Sequence, residues 1–419
     1  MLKVFILLTL IALCVSKKAY DGYKVYDIKC KNQNELKLLE KFEANEAEKH
    51  ELDFLSLHNN VNDVARVVVK PSEQRFVENF FKQNKLDYEI TSDNIQLAID
   101  KEFEEFRTLS QSKSDELRFD RYYRYEEIER FLNKLEGSND NVKVENVGKT
   151  FEGRNIKTVT ITKGDGKSRN SVFIDAGIHA REWIAPAMSL YLIDQLTDSK
   201  SNFSKLLDLM DFVIQPVVNP DGYDYTFRFF RLWRKTRSYQ SIVSCRGVDA
   251  NRNYDFEWST AGASDNPCAE TYHGVKPFSE NETIASRDII ERIKDKCKFF
   301  LTFHSYGNYL IYPNGYTKDL PENWEDQDEV AKAGADAIEQ ATGTKYRYGS
   351  VSNTLYIASG ASTDYAYGAA KIPIAICMEL PGGGFFGFDL PASEIENTVK
   401  ESIIGVQAMV ETVARKYPN

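Results

Sequence analysis

Apolar residues recur along this chain in two rhythms, every second position in some stretches and every third or fourth in others. Near the N-terminus, residues 23–30 alternate as a half-buried strand does, and residues 33–44 carry apolar side chains at helical spacing. Ala65-Arg-Val-Val-Val69 predicts a second strand, Pro71-Ser72 opens a second helix reaching Lys82, and residues 86–90 predict a further strand. This βαββαβ-like order suits a small α+β open sandwich.

From residue 119 onward the apolar runs lengthen. Strand-like segments at 157–162, 171–178, 211–218, 299–304 and 371–380 alternate with helical patterns at 125–135, 186–198, 286–294, 327–341 and 393–414. The alternation predicts an α/β domain: a mixed, largely parallel twisted sheet with helices on both faces. Between the two units, residues 101–118 are strongly charged. Composition alone makes this an ordinary interdomain helix. Exposed polar segments are also where proteases cut, and Arg107, Lys113 and Arg118 are candidate trypsin-type sites.

At 419 residues the chain exceeds what one core comfortably fills, so two domains are expected. It opens with Lys3, an apolar run over 4–15, and Ser16 before Lys17-Lys18. That run is too short to span a bilayer and has the form of a signal peptide. A secreted, extracellular, soluble protein is expected, with no membrane partner. The six cysteines fit export. Cys14 leaves with the leader. Cys245 and Cys268 are spaced for a disulfide, the alternative being two free thiols. Cys30, Cys297 and Cys377 leave an odd count, and Cys377, inside Ile372-Pro-Ile-Ala-Ile-Cys-Met378, reads as a small buried apolar residue. Asn202-Phe-Ser204 and Asn281-Glu-Thr283 are glycosylation acceptors on a eukaryotic route. The formal charge of −10 argues against nucleic acid, which calls for a basic patch.

One spacing points to chemistry. His179-Ala-Arg-Glu182 follows the apolar run 171–178, and His304 ends the run 299–304. Two histidines and a carboxylate make a three-ligand zinc site with a fourth position open, which is a catalytic rather than a structural arrangement. A histidine followed three residues later by an acid is a weak signal by itself, and His50-Glu-Leu-Asp53 also matches. His50 sits in a polar run and reads as a solvated charged stretch. His179 instead leaves the end of a buried strand, where open α/β sheets bind ligands.

Further segments stand in one order: Asn219-Pro-Asp-Gly-Tyr223, Arg231-Leu-Trp-Arg234-Lys-Thr-Arg-Ser238, Gly247-Val-Asp-Ala-Asn251-Arg252-Asn253, Phe303-His304-Ser-Tyr306, Tyr356 and Glu379. With His179-Ala-Arg-Glu182 they resemble the zinc metallocarboxypeptidases of the pancreatic carboxypeptidase A and B type. The resemblance covers 119–419, and residues 20–110 resemble that family's inhibitory propeptide. It implies a signal peptide at 1–16, a propeptide at 17–110, an activation linker at 111–118 cut by a trypsin-like protease, and a catalytic domain at 119–419. A monomer carrying one zinc ion and acting on the C-termini of peptides and proteins is expected.

The roles implied by the resemblance fit the residue types. His179, Glu182 and His304 resemble the zinc ligands, and Asp249 the carboxylate that orients His179. Glu379 resembles the general base, which takes a proton from the attacking water and passes it to the leaving amine. Arg234 resembles the donor that stabilises the oxyanion, although Arg228, Arg231, Arg234, Lys235 and Arg237 also read as a basic solvated face. Asn251 and Arg252 resemble the clamp for the terminal carboxylate, which a guanidinium fork grips at two points. Arg181 and Tyr306 resemble residues lining outer substrate positions, and Tyr356 the mobile tyrosine that closes over the substrate.

The terminal side chain is expected to meet Thr302, Ile311, Gly315, Val351, Ala358, Thr363 and Cys377. The B-type pocket carries an acid at Thr363's position to pair with lysine or arginine. A hydroxyl stands there instead, and a buried ammonium without a partner is costly. Apolar or aromatic termini are therefore expected, as in A-type enzymes, in a pocket roomier and more polar than usual for them. Asp364 matches an aspartate common to both types. Rival readings are a B-type enzyme and a peptide-binding relative without catalysis. Glu379-Leu-Pro-Gly-Gly-Gly-Phe385 departs from the charged residues common after that leucine, which affects outer contacts rather than the chemistry.

Overall fold

In the computed structural model, residues 20–57, 60–61, 63–110, 117–163, 169–240 and 245–419 are described. The leader expected at 1–16, Cys14, Lys113 and most of the 111–118 linker lie outside them. The N-terminal alternation forms β1 (Lys24–Lys29), β2 (Asp53–Ser56), β3 (Val64–Val69) and β4 (Asp87–Ser92), an antiparallel sheet in the order β2-β3-β1-β4. α1 (Gln33–His50) and α2 (Gln74–Gln83) cover one face. Asn32 starts α1 by accepting from the backbone N–H groups of Asn34 and Glu35. Strand alternation sorts the residues: Tyr26, Ile28, Val67 and Val69 pack under the helices, with Leu39, Phe42 and Phe81. Val25 and Val68 face the other way and pack against Leu232, Phe386 and Phe388 of the larger unit.

Strand β2 and the surroundings of His50 correct the sequence reading. His50 is half-buried and paired. Its ring stacks on Phe76 with centroids 3.9 Å apart, and Nδ1 lies 2.6 Å from Glu73 Oε2. Leu52 is buried, and Asp53 opens β2 and bonds Arg181 of the larger unit at 2.8 Å. Paired charges make a polar sequence that packs as an interface. The charged 101–118 segment behaves similarly. Helix α3 (Ile95–Leu109) carries its first half, with Phe106 buried and Glu102 turned inward to Arg231 at 2.6 and 3.0 Å.

The larger unit holds an eight-stranded mixed sheet. Its strands are β5 (Val142–Lys149), β6 (Asn155–Ile161), β7 (Ser171–Ala176), β8 (Asp211–Gln215), β9 (Cys297–Ser305), β10 (Tyr309–Tyr312), β11 (Arg347–Ser350) and β12 (Ile374–Leu380), in the order β11-β10-β12-β9-β7-β8-β6-β5. α4 (Tyr125–Glu136), α5 (Ile184–Thr197), α8 (Trp324–Thr342) and α9 (Ala392–Lys416) pack with one face, burying Ile174, Leu301, Ile376 and Val406. α7 (Asn281–Ile293) packs on the other, against Phe173, Phe300 and Ala375. α6 (Pro220–Arg228) precedes the basic segment. β5, β10 and β11 were not expected. β10 and β11 are four residues each, too short for a periodic signal, and β5 is an edge strand broken by charges.

What matters for the site is the run β12-β9-β7-β8. These neighbours are mutually parallel, so their C-terminal ends share one edge. The Cys245–Cys268 disulfide is formed across a sequence separation of 23, while Cys30, Cys297 and Cys377 are buried and unpaired.

Glu282, in the first turn of α7, is fully buried. Burial and then the neighbouring Glu280 push its carboxyl up to about 8. Above the ordinary carboxylate range the unfolded chain has lost this proton while the folded chain keeps it, so this group makes stability fall as pH rises from about 5 to 8. Glu282→Gln is therefore expected to stabilise the chain at pH 8, on the order of 2 kcal/mol, and hardly at pH 5, by denaturant unfolding. Equal shifts at both pH values would contradict the assignment.

Candidate active site

Three strand ends build the site. β7 leaves the sheet through Gly177, whose φ is +65° and where an added Cβ would lie 3.0 Å from the Pro186 ring. This turn presents His179 and Glu182 just before α5. β9 ends in His304 and Ser305, and β12 brings Glu379 into register with His304. His179 Nδ1 lies 2.8 Å from Glu182 Oε1, and His304 Nδ1 lies 3.1 Å from Glu182 Oε2. The three are buried, with one ligand atom from each within 4.8 Å of the others. Among the described residues this is the single group of three or more such side chains placed to share a metal ion. Burial alone would raise the Glu182 carboxyl, but the two imidazoles outweigh it and hold it below the usual range. Two imidazole nitrogens and one carboxylate are the donor set that a catalytic zinc takes.

Asp249 ties the surroundings together. One oxygen lies 3.1 Å from His179 Nε2 and accepts from Asn251 N–H at 3.0 Å; the other accepts from Arg234 Nε and Nη2 at 3.1 and 2.9 Å. An acceptor at Nε2 fixes the proton there and leaves Nδ1 free to bind metal. Burial would raise Asp249, yet Arg234 and His179 hold it well below its ordinary value. Glu379 goes the other way: burial and the nearby Glu182 raise its carboxyl against the pull of His304 and Arg234. A carboxylate so placed can take and return a proton near neutral pH.

Arg252 is buried and donates to Gly262 O and Asn251 O, both at 2.9 Å, while its nearest paired carboxylate, Asp249, is 4.0 Å away. It keeps donor capacity for a second acid. The Asn251 side chain accepts from Ser362 N–H at 2.9 Å, which pins the segment bearing Thr363. The Tyr356 ring lies 5.9 Å from the Arg252 guanidinium and is partly exposed at the lip. Ile311, Val351 and Cys377 gather with Tyr309 and Leu355 in one apolar cluster. An added Cβ on Gly315 would sit 2.7 Å from Ala358 O, so these two walls touch. Buried Asp364 is occupied, accepting from Gly315 N–H at 3.0 Å.

Arg181 and Tyr306 face the smaller unit. Arg181 donates to Asp53 Oδ2 at 2.8 Å and lies over the Phe388 ring, and Tyr306 packs edge-on to Phe388. Asp53 and Glu102 are thus site neighbours that the sequence reading missed, and their signal was no more than an acid in a foldable segment. The basic solvated face is also corrected for most of its members. Arg231, Arg234, Lys235 and Arg237 are buried, and Arg228 alone is exposed. Acids and aromatic rings replace water there: Arg231 stacks on Trp183 at 3.7 Å, and Arg237 on Tyr225 at 3.5 Å.

Comparison with known proteins agrees with this geometry. The zinc carboxypeptidase family matches residues 128–405, and the carboxypeptidase activation peptide family matches residues 26–102. The chain is similar to carboxypeptidase B of Astacus astacus, 42% identical over 71% of this chain and 98% of that protein. It is also similar to zinc carboxypeptidase A 1 of Drosophila melanogaster, 35% identical over 98% of this chain and 96% of that one. The crystal structure of carboxypeptidase A from Helicoverpa armigera superposes with a TM-score of 0.89 at 31% identity, covering 96% of this chain and all of that one.

If Asp249 fixes the His179 proton, Asp249→Asn should weaken zinc binding about 10- to 100-fold, measured by chelator competition on the purified chain. An unchanged dissociation constant would show that the contact does not support the metal.

Proposed function

The chain belongs to the zinc carboxypeptidase family and carries that family's activation peptide, and from this we propose that it is a secreted monomeric zymogen that, once cut, removes apolar or aromatic residues from peptide C-termini. It is a metallocarboxypeptidase whose family implies one zinc ion. In this reading the leader is 1–16, the inhibitory propeptide 17–110, the linker cut by a trypsin-like protease 111–118 and the catalytic domain 119–419.

His179, Glu182 and His304 are the residues that would hold the zinc. When bound there, zinc supplies a Lewis acid that acidifies water and polarises a carbonyl. The chain's own side chains do the rest. Arg252, with Asn251 beside it, grips the terminal carboxylate and so restricts the enzyme to free chain ends. Glu379 takes a proton from the attacking water and returns it to the leaving nitrogen, so the amine departs neutral. Arg234, held by Asp249, offers N–H donors where negative charge grows on the carbonyl oxygen. Tyr356 closes the lip, and Arg181 and Tyr306 carry residues further from the terminus. Asp53 occupies Arg181 in the intact chain, which supports a propeptide that blocks the cleft.

The observation that carries this reading is the meeting of Glu379 and the His179–Glu182–His304 cluster at adjacent parallel strand ends. The apolar wall of Ile311, Val351 and Cys377, with Thr363 in place of an acid and Asp364 already bonded, supports apolar termini. The carboxypeptidase B names among the relatives favour a second reading, basic termini.

Trypsin-treated protein is expected to release C-terminal Phe faster than C-terminal Lys from otherwise identical peptides, and faster than the uncut chain does. Faster release of Lys would establish the second reading. Glu379→Gln should lower kcat by about 100- to 10,000-fold with zinc retained; undiminished turnover would remove Glu379 from the proton transfer.

A further inference from the structure

Below the strand ends runs a buried row of which the proposed function uses only Cys377, in the pocket wall. Register sets Gln215 of β8 beside Asp175 of β7, Asp175 beside Thr302 of β9, and Thr302 beside Cys377 of β12. Side chains alternate faces along a strand, so Thr302 and His304 point the same way, and the row lies one step below His304 and Glu379. Gln215, Asp175 and Thr302 are fully buried.

Gln215 Oε1 accepts from the Ser286 hydroxyl at 2.9 Å, but most polar atoms of the row are less well served. Both Asp175 oxygens, Thr302 Oγ1, Gln215 Nε2 and the Tyr254 hydroxyl reach no partner among the described residues, and His304 Nε2 is in the same condition. Asp175 is nonetheless close to its neighbours electrostatically. Burial pushes its carboxyl up to about 6, while the Thr302 hydroxyl and then His304 draw it back down. Buried polar atoms concentrated like this are met in proteins by internal water.

A metal-binding histidine donates its second ring N–H to an acceptor, which fixes the ring. His179 has Asp249 for this. His304 turns Nδ1 to Glu182, so Nε2 is the donor that needs an acceptor. Two other carboxylates lie on its side of the sheet. Glu379 is part-exposed at the cleft and is the proposed proton carrier, whereas Asp175 is fully buried beside the Thr302 hydroxyl.

We infer that Asp175 is a positioning residue for His304, its carboxylate accepting the Nε2–H of His304 through one buried water shared with the Thr302 hydroxyl. The inference rests on the reading of His304 as a metal ligand. The two imidazoles would then be steered from opposite sides, His179 directly by Asp249 and His304 at one remove by Asp175.

The test uses the full-length chain loaded with zinc. Asp175→Asn should weaken zinc binding about 10-fold in chelator competition, with unfolding of the metal-free protein little changed. A crystal structure of the wild-type zinc form should show a water within about 3 Å of both His304 Nε2 and an Asp175 oxygen. A folded Asp175→Asn variant with wild-type zinc affinity would overturn the inference while leaving the metal site standing. So would density in which Nε2 donates to Glu379 or to a backbone carbonyl, a result that decides the matter even if the variant fails to fold. Wild-type protein that binds no zinc would bring down the metal reading and this inference together.

Discussion

A buried carboxylate shared by two imidazoles is the constraint from which the rest of this structure follows. Glu182 lies 2.8 Å from one histidine and 3.1 Å from the other, at full burial. An acid taken out of water must find compensating positive charge or strong donors. The two imidazoles hold this carboxyl below its usual range, and a divalent cation bound among the three side chains would strengthen that. The three side chains come from segments far apart in sequence and meet because β7 and β9 are parallel neighbours whose ends coincide. Glu379 arrives by the same route on β12. Sheet order, rather than local sequence, places the base beside the ligands.

Charge pairing extends this logic outward. Arg234 is held by Asp249, Arg231 by Glu102 and Arg181 by Asp53. The first acid belongs to the large unit and the other two to the N-terminal unit. A buried guanidinium that loses its acid is left uncompensated, at a cost of about 3–5 kcal/mol where burial is complete. The smaller unit is therefore bound by charge as well as by the apolar seam of Val25, Val68, Leu232 and Phe388. Removal of this unit would take Asp53 from Arg181 and Glu102 from Arg231.

Much of this was legible in the chain. The long strands β7, β9 and β12 announce themselves as apolar runs, and α8 and α9 as long periodic stretches, because burial on both faces or along one stripe leaves a repeating pattern. Motif order singled out His179, Glu182 and His304, which the fold gathers into one cluster, and Glu379, which it sets in register with His304. What stayed hidden was shorter or paired through space. Four-residue strands carry no period, so β10 and β11 left no trace. Asp53 and Glu102 looked solvated because the arginines that pair with them lie more than a hundred residues away. Asp175 hid inside an apolar run, one polar letter whose meaning depends on which strands flank it.

The most direct measurement follows zinc content and hydrolysis of a free-terminus peptide together, as the metal is withdrawn from the cut protein by a chelator and then returned. The account predicts that activity falls in proportion to zinc and is restored at one equivalent per chain. Activity undiminished in metal-free protein would contradict it.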